Sequence, residues 1–432
     1  MCFHQIIFIL ILISYIIHAS SVDKGYLLMT EEMEKPFKQY LQYSFANFLN
    51  PGTKQKKFEK PKISIIIPMY NEEKNALKVI RTVQNQKLQE IEIVCVNDNS
   101  NDNTLEILQK LQKEDPRITI ITNKINRGVI YNRIYGAIKS KGEYVTFIDA
   151  DDGICNGDIL LKAYDKATKE FGEKIDIIHY QTCGCLVDEN GVMDKMVIFN
   201  TFNPNTFNQI VREPYIGDNY FQGKQDVTGS GFVFDKIYSR QLIIRAANYI
   251  GPDVWNQNLV YIDDLLLCFA AMKKAKSIVS MPDIGYWHYF DKKGSVTVGV
   301  WETEGKRLKY PKKSNKKIGD YMIILERVLK LTEEEPQSGG FREFVIKTIG
   351  SDDYLPAISR SIHFEKYLFL IEKEFEWKYN TSERKKRIKK YFKYLLNFEI
   401  TPNERFEYIL NSDSKSKSKS KSKSKSKSKK NK

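Results

Sequence analysis

From Ile63 onward the apolar positions of the chain alternate between two periods. Ile63–Ile67 is a continuous β-branched run ended by Pro68, and Ala76, Leu77, Ile80 and Val83 then recur at helical spacing. Ile91–Val96 is a second strand-like run, followed by polar residues and a helix that uses Leu105, Leu108 and Leu111. Ile118–Thr122 reads as a third strand. Ile130, Ile134, Ala137 and Ile138 mark a third helix that stops at Gly142, and Tyr144–Ile148 is a fourth strand. This rhythm predicts an α/β fold: a mostly parallel sheet with helices on both faces. In such sheets ligands bind beyond the carboxyl ends of the strands. The polar punctuation falls there each time, at Pro68–Glu73, Asn97–Asn103, Asn126–Gly128 and Asp149–Gly153. Distant segments therefore meet on one rim.

The second half is less regular. Ile175–Tyr180 reads as a strand, and Lys236–Ile244 as a helix after a glycine-flanked loop from Gly229. Tyr261–Ala271 reads as a helix opening with Asp263 and Asp264, where carboxylates suit the positive end of the helix dipole. Residues 303–411 read as a charged, helical C-terminal region with no evident chemistry. Residues 22–61 are polar with scattered aromatics and read as a stem or linker. Residues 1–21 carry an apolar run from Ile6 to Ile17, shorter than the ~20 residues of a membrane span. With Ala19, Ser20 and Ser21 behind it, the run reads as a signal peptide, or as a signal anchor in a second reading. Either places the chain in the secretory pathway, in the endoplasmic reticulum or Golgi lumen or secreted. No second long apolar run follows, which excludes a polytopic synthase.

Composition changes this picture little. The chain has 432 residues, 42% of them hydrophobic, enough for a sizeable core. Its net charge of +14 misleads, because residues 412–432 are a Ser-Lys repeat whose stretch from Ser414 holds ten lysines and no acid. Setting that stretch aside leaves +4, which requires no nucleic-acid partner. The tail cannot bury apolar surface and is expected to be disordered, with weak contact to an anionic membrane surface as its second reading. The five cysteines beyond the leader lack a framework spacing, and His179, Cys183 and Cys185 lack a fourth partner at zinc spacing. The sequon at Asn380 matters only in the secretory lumen.

The chemistry concentrates in Tyr144–Gly153, YVTFIDADDG, where an apolar strand ends in Asp149, Asp151 and Asp152. In extended backbone Asp149 and Asp151 share a face. Two such carboxylates repel unless a cation lies between them, and oxygen-only ligands suit a hard divalent ion, manganese or magnesium, that also holds phosphate oxygens. A metal-bound diphosphate is the expected guest.

Three segments resemble glycosyltransferase family 2, whose fold is the nucleotide-binding GT-A type. They are IIIPMYNEE (Ile65–Glu73), VNDNSNDNT (Val96–Thr104) and NRGVIYNRIYGAIKSKGEYVTFIDADD, ending at Asp152. The resemblance covers Lys62 to Val300 and sets the domain at 62–302. It implies that Pro68, Tyr70, Asn71 and Glu72 cup the nucleotide, that Asp98 meets a uracil-like base, and that Asn126, Arg133 and Asp149 complete the donor site. Asn99 stands where the family has Gly, which Asn tolerates because it also visits left-handed backbone. Ile134 stands where the family has Asn. FDKIYSRQLI (Phe234–Ile243) resembles the acceptor-side segment, YIDDLLL the family's Glu-Asp pair, and KGSVT (Lys293–Thr297) its closing motif. The aromatic-Arg pattern before that motif is replaced by YWHYFDKK, and His288 reads as a packed histidine rather than a base.

The expected function is an inverting, metal-dependent glycosyltransferase. It would carry a sugar from a nucleoside diphosphate sugar, UDP-linked by resemblance at Asp98, to a hydroxyl of a glycan, protein or lipid. Asp149 and Asp151 would hold the metal, with Asp264 the base and Asp263 its second choice. The alternatives are a catalytically inactive secreted binding protein of the same fold, and a nucleotidyltransferase. The latter needs a Gly-rich basic triphosphate loop after the first strand, and PMYNEE is neither.

Overall fold

The computed structural model describes residues 26–46, 56–187, 193–199, 207–212, 232–259 and 263–289, with a few positions between 323 and 331. The leader, the closing motif KGSVT, most of the C-terminal helical region, the sequon and the Ser-Lys tail lie outside the described residues. All described residues belong to one compact unit, Met1–Leu308 with Ile323–Val345.

The predicted alternation is present. β1 (Tyr26–Leu28) and α1 (Glu31–Ala46) precede the repeating block of β2 (Ile63–Met69), α2 (Ala76–Gln84), β3 (Ile91–Asn97), α3 (Thr104–Glu114), β4 (Ile118–Thr122), α4 (Val129–Lys139) and β5 (Tyr144–Phe147). Then follow β6 (Gly153–Ile154), α5 (Ile159–Thr168), β7 (Ile177–Val187), β8 (Met193–Phe199), β9 (Ile210–Arg212), β10 (Lys236–Ser239), α6 (Arg240–Ile250), α7 (Pro252–Trp255), α8 (Asp263–Lys274) and β11 (Ser277–Tyr289). Among the described residues they form one sheet in the order β1-β8-β7-β10-β5-β2-β3-β4, with β11 beside β7 and also pairing β6 and β9.

Strands β5, β2, β3 and β4 are parallel neighbours. Every residue of β2 and β3 is buried, so both strands lie between helical layers. That is why they read as continuous apolar runs rather than alternating ones. Helix α4 settles closely on this block: a Cβ at Gly136 would sit 2.6 Å from the Ile66 Cγ2. The missing side chain lets α4 hold Arg133, one turn earlier, against the carboxyl rim.

The mostly parallel sheet expected from the sequence is present, and its antiparallel part includes β10, which enters between β5 and β7. That strand corrects the helix expected over Lys236–Ile244. Residues 236–239 are strand and the helix starts at Arg240. Pairing on both edges outweighs a helical apolar pattern in so short a segment. Leu77 and Ile138, placed on buried stripes by their spacing, are exposed.

Nor is 22–61 only a stem. β1 pairs with β8, and on α1 Met33 and Phe37 pack against a small core of Met29, Cys155, Cys183, Ile198 and Trp287. The Tyr40 hydroxyl donates to the Thr82 carbonyl at 2.9 Å and accepts from Gln86 Nε2 at 2.9 Å. The scattered aromatics of this segment are its packing face. The Cys183 thiol lies 3.4 Å from that of Cys155, and both cysteines are free and buried.

At the sheet's opposite end polar groups serve stability. Asp115 and Arg117 form a fully buried ion pair at 2.8 Å, and Gln84 Nε2 donates to Asp115 at 2.9 Å. Burial alone would raise the Asp115 pKa, but the hydrogen bonds and charge of Arg117 outweigh it and lower it. Asp115→Ala would strand a buried guanidinium, so we expect a loss of about 3–5 kcal/mol in unfolding free energy. Denaturant unfolding of the variant at neutral pH checks this; a loss below about 1 kcal/mol would contradict it.

Candidate active site

The loops after β2 and β3 are laced together. Asn71 N–H donates to Ser100 Oγ at 3.0 Å, Glu72 N–H to Thr104 Oγ1 at 2.8 Å, and Glu73 N–H to Asp102 at 3.1 Å. In return Asn101 N–H donates to Asn71 Oδ1 at 2.8 Å. Asn71 and Asn99 both take left-handed backbone, at φ 58° and 62°, as the replacement of Gly by Asn at 99 suggests. Pro68 is buried at the end of β2 and Tyr70 projects with 46% exposure. Glu72 accepts from Asn75 Nδ2 at 2.7 Å.

Asp98 is buried at the end of β3 and joins the next loop. It accepts from Asn123 Nδ2 at 2.7 Å, from the Arg127 amide at 2.8 Å and from the Gly128 amide at 2.9 Å. A carboxylate offers about four lone-pair positions, so roughly one remains for a ligand. The side chain expected to meet a nucleotide base is therefore also the clasp of the loop before α4. Gly128, at φ 84°, would bring a Cβ to 2.7 Å from the Leu259 carbonyl, which holds the segment before α8 close. Asn126, in the same loop, accepts from Asn258 Nδ2 at 3.0 Å.

Arg133 draws two distant acids together. Its side chain is nearly buried; one terminal nitrogen bonds Asp149 at 2.5 Å, and the other pairs with Asp264 at the start of α8. The metal-ligand candidate and the base candidate thus share one guanidinium. The backbone of Asp263 opens α8, and its side chain lies outside the described atoms.

The strand ends earlier than the alternation of Asp149 and Asp151 assumes. β5 stops at Phe147, and residues 149–152 form a turn closed by the Asp152 amide on the Asp149 carbonyl at 3.0 Å. The two acids are neighbours on a turn, not on one face of a strand. Asp152 is buried and faces β11: it accepts from the Tyr286 hydroxyl at 2.8 Å and lies 2.8 Å from His288 Nδ1. The Asp149 amide in turn donates to the Tyr286 hydroxyl at 3.2 Å. Burial pulls the His288 pKa down, but Asp152, with Asp149 and Asp151 behind it, pushes it up to about 9. At neutral pH His288 is an imidazolium, packed as expected but also ion-paired.

Asp149 and Asp151 are partly exposed and offer oxygen donors only, the set that suits manganese or magnesium. Among the described residues no cluster of three His, Cys, Asp or Glu side chains is placed to hold a metal alone. A cation here would complete its shell with diphosphate oxygens and water, as magnesium commonly does. His179, weighed above with Cys183 and Cys185, pairs with Asp235 at 3.1 Å, and burial together with Lys236 lowers its pKa to about 4.

Residues 64–239 match the sequence model of glycosyl transferase family 2. A β-1,3-glucosyltransferase of Campylobacter jejuni that acts on GalNAc(5)-diNAcBac-PP-undecaprenol is 33% identical over 139 residues, 31% of this chain and 41% of that protein. A poly(ribitol-phosphate) β-glucosyltransferase of Bacillus spizizenii is 37% identical over 147 residues, 33% of this chain and 22% of that protein. The match thus spans less than half the length of these relatives. Among solved structures, S. aureus TarS 1-349 in complex with UDP-GlcNAc aligns over 81% of this chain and 83% of its own, at 18% identity and a TM-score of 0.45. The segment that builds β2 to β10 and carries Asp98, Arg133, Asp149 and Asp151, residues 64–239, is a glycosyl transferase family 2 domain.

Proposed function

We propose that this protein transfers a sugar from a UDP-sugar to an acceptor hydroxyl with inversion at the anomeric carbon. The observation that carries the reading is the Arg133 bridge, which puts Asp149 and Asp264 within the span of one guanidinium at the strand ends. A donor diphosphate would lie against Asp149 and Asp151, and the acceptor against Asp264. A manganese or magnesium ion held by Asp149 and Asp151 would supply countercharge to the leaving diphosphate, so no general acid is required. Asp264 takes the proton of the acceptor hydroxyl as its oxygen bonds to the anomeric carbon and the bond to the diphosphate breaks. An ion-paired carboxylate is a weak base; a diphosphate that draws Arg133 toward itself frees Asp264 to accept the proton. The buried Asp98 and the exposed Tyr70 support a base and ribose site on the other side of the rim.

Three experiments test this reading. Asp264→Asn should cut transfer by at least about a hundredfold while UDP-sugar affinity, read by calorimetry, stays within a few-fold. Transfer near the wild-type rate would remove Asp264 from the role. In thermal unfolding, UDP with manganese at about a hundred times its Kd should stabilise the wild type by roughly 2.7 kcal/mol. Asp151→Asn should lose the manganese-dependent part of that gain. Equal stabilisation with and without manganese would exclude the metal, and metal-dependent hydrolysis of the donor separates an enzyme from an inactive binding protein.

A further inference from the structure

The turn that carries Asp149 and Asp151 is braced from outside by one hydroxyl. The Asp149 amide donates to the Tyr286 oxygen at 3.2 Å, and the Tyr286 O–H donates to Asp152 at 2.8 Å. One atom on β11 thus grips the first and the last residue of the turn, and Asp151 lies between them. The hydroxyl has little freedom of its own. Tyr286 is fully buried, and its ring lies flat on Phe234 with 4.2 Å between centroids and 12° between planes. Its backbone pairs with Ile154 of β6 on one side and with Thr182 of β7 on the other. The register against β7 shifts twice between Ser280 and Tyr286, an irregularity of the kind that re-aims a side chain. At Gly285, the preceding residue, a Cβ would collide with Ile159 Cγ1 and come to 2.8 Å from Tyr180 Cδ2, so glycine lets the strand lie this close.

We propose that Tyr286 is a positioning residue of the cation site: its hydroxyl fixes the spacing of Asp149 and Asp151 and so selects a small divalent ion, magnesium or manganese, over calcium. It rests on the metal-dependent reading above and adds how the ion is chosen. Magnesium takes oxygen donors at about 2.0–2.1 Å in near-ideal octahedral order, whereas calcium accepts them at about 2.3–2.6 Å in a flexible shell. Discrimination between the two therefore depends on the rigidity of the donor set as well as on its charge. Asp149 is held twice, at its amide by Tyr286 and at its carboxylate by Arg133 at 2.5 Å. The turn's own bond, from the Asp152 amide to the Asp149 carbonyl at 3.0 Å, closes it on itself, and the Tyr286 hydroxyl ties it to the sheet. Tyr286→Phe would keep the ring on Phe234 and remove both bonds to the turn.

The test uses the full chain in excess over UDP, with manganese as the probe and its free EPR signal as the readout. Magnesium and calcium are then titrated against the bound manganese. Wild type should release manganese to magnesium at a concentration at least about fivefold below that needed for calcium. Tyr286→Phe should weaken manganese binding about tenfold, the usual cost of losing a group that orients metal ligands. It should also bring the magnesium-to-calcium preference close to one, while UDP affinity without metal, read by calorimetry, stays within a few-fold. A purely structural tyrosine would lower the thermal midpoint and leave that preference unmoved in the folded protein. Phe234→Leu, which keeps the hydroxyl but removes the ring against it, should shift the preference the same way by a smaller amount, and decides the matter if Tyr286→Phe does not fold. An unchanged preference in a folded variant, or a wild type that prefers calcium, would overturn the proposal and leave the transferase reading standing. A wild type that binds no manganese with UDP present would instead remove the metal from that reading, and the proposal with it.

Discussion

Carboxylates crowded at the end of a sheet repel one another, and the rim of this domain is organised by how that repulsion is answered. Arg133 lies between Asp149 and Asp264, and protonated His288 lies on Asp152. Removing either cation would take a countercharge away from buried or partly buried acids, a larger penalty than losing a surface ion pair carries. The scaffold exists to keep these groups in place. Gly136 lets α4 approach β2 closely enough for Arg133 to reach the rim, and Tyr286 ties the acid turn to β11.

The two ends of the sheet use charge differently. At the lower end Asp115 and Arg117 are sealed from water and saturated by each other and by Gln84. Ser64, Glu92 and the Gly142 amide form a second closed network there, with Ser64 Oγ donating to Glu92 at 2.7 Å and Gly142 N–H to Ser64 Oγ at 2.8 Å. At the upper end Asp149, Asp151 and Asp264 keep part of their surface open. Closed networks hold a fold together, and partly open ones leave room for a guest.

The upper rim was legible because β-branched runs and polar breaks fall in step, and each break lands where a parallel strand ends. The left-handed backbone at Asn99 was legible from residue type. Other features depend on partners far away in the chain. The pairing of Asp152 with His288 joins residues 136 positions apart, and no local pattern announces it. The strand at Lys236–Ser239 carries a pattern equally suited to a helix and is decided by its two neighbours in the sheet. Residues 26–46 looked like a tether because their apolar face is narrow, and only the small core under β11 shows what it covers.

Asp98 has a consequence for how such a site can diversify. Its carboxylate holds three donors of the fold, so a change at this position disturbs the loop before α4 along with whatever ligand it meets. Under the proposed donor site, new nucleotide preferences would therefore arise more readily at Tyr70, whose ring projects from the rim. The protein's evolvable surface is the part its own architecture does not lean on.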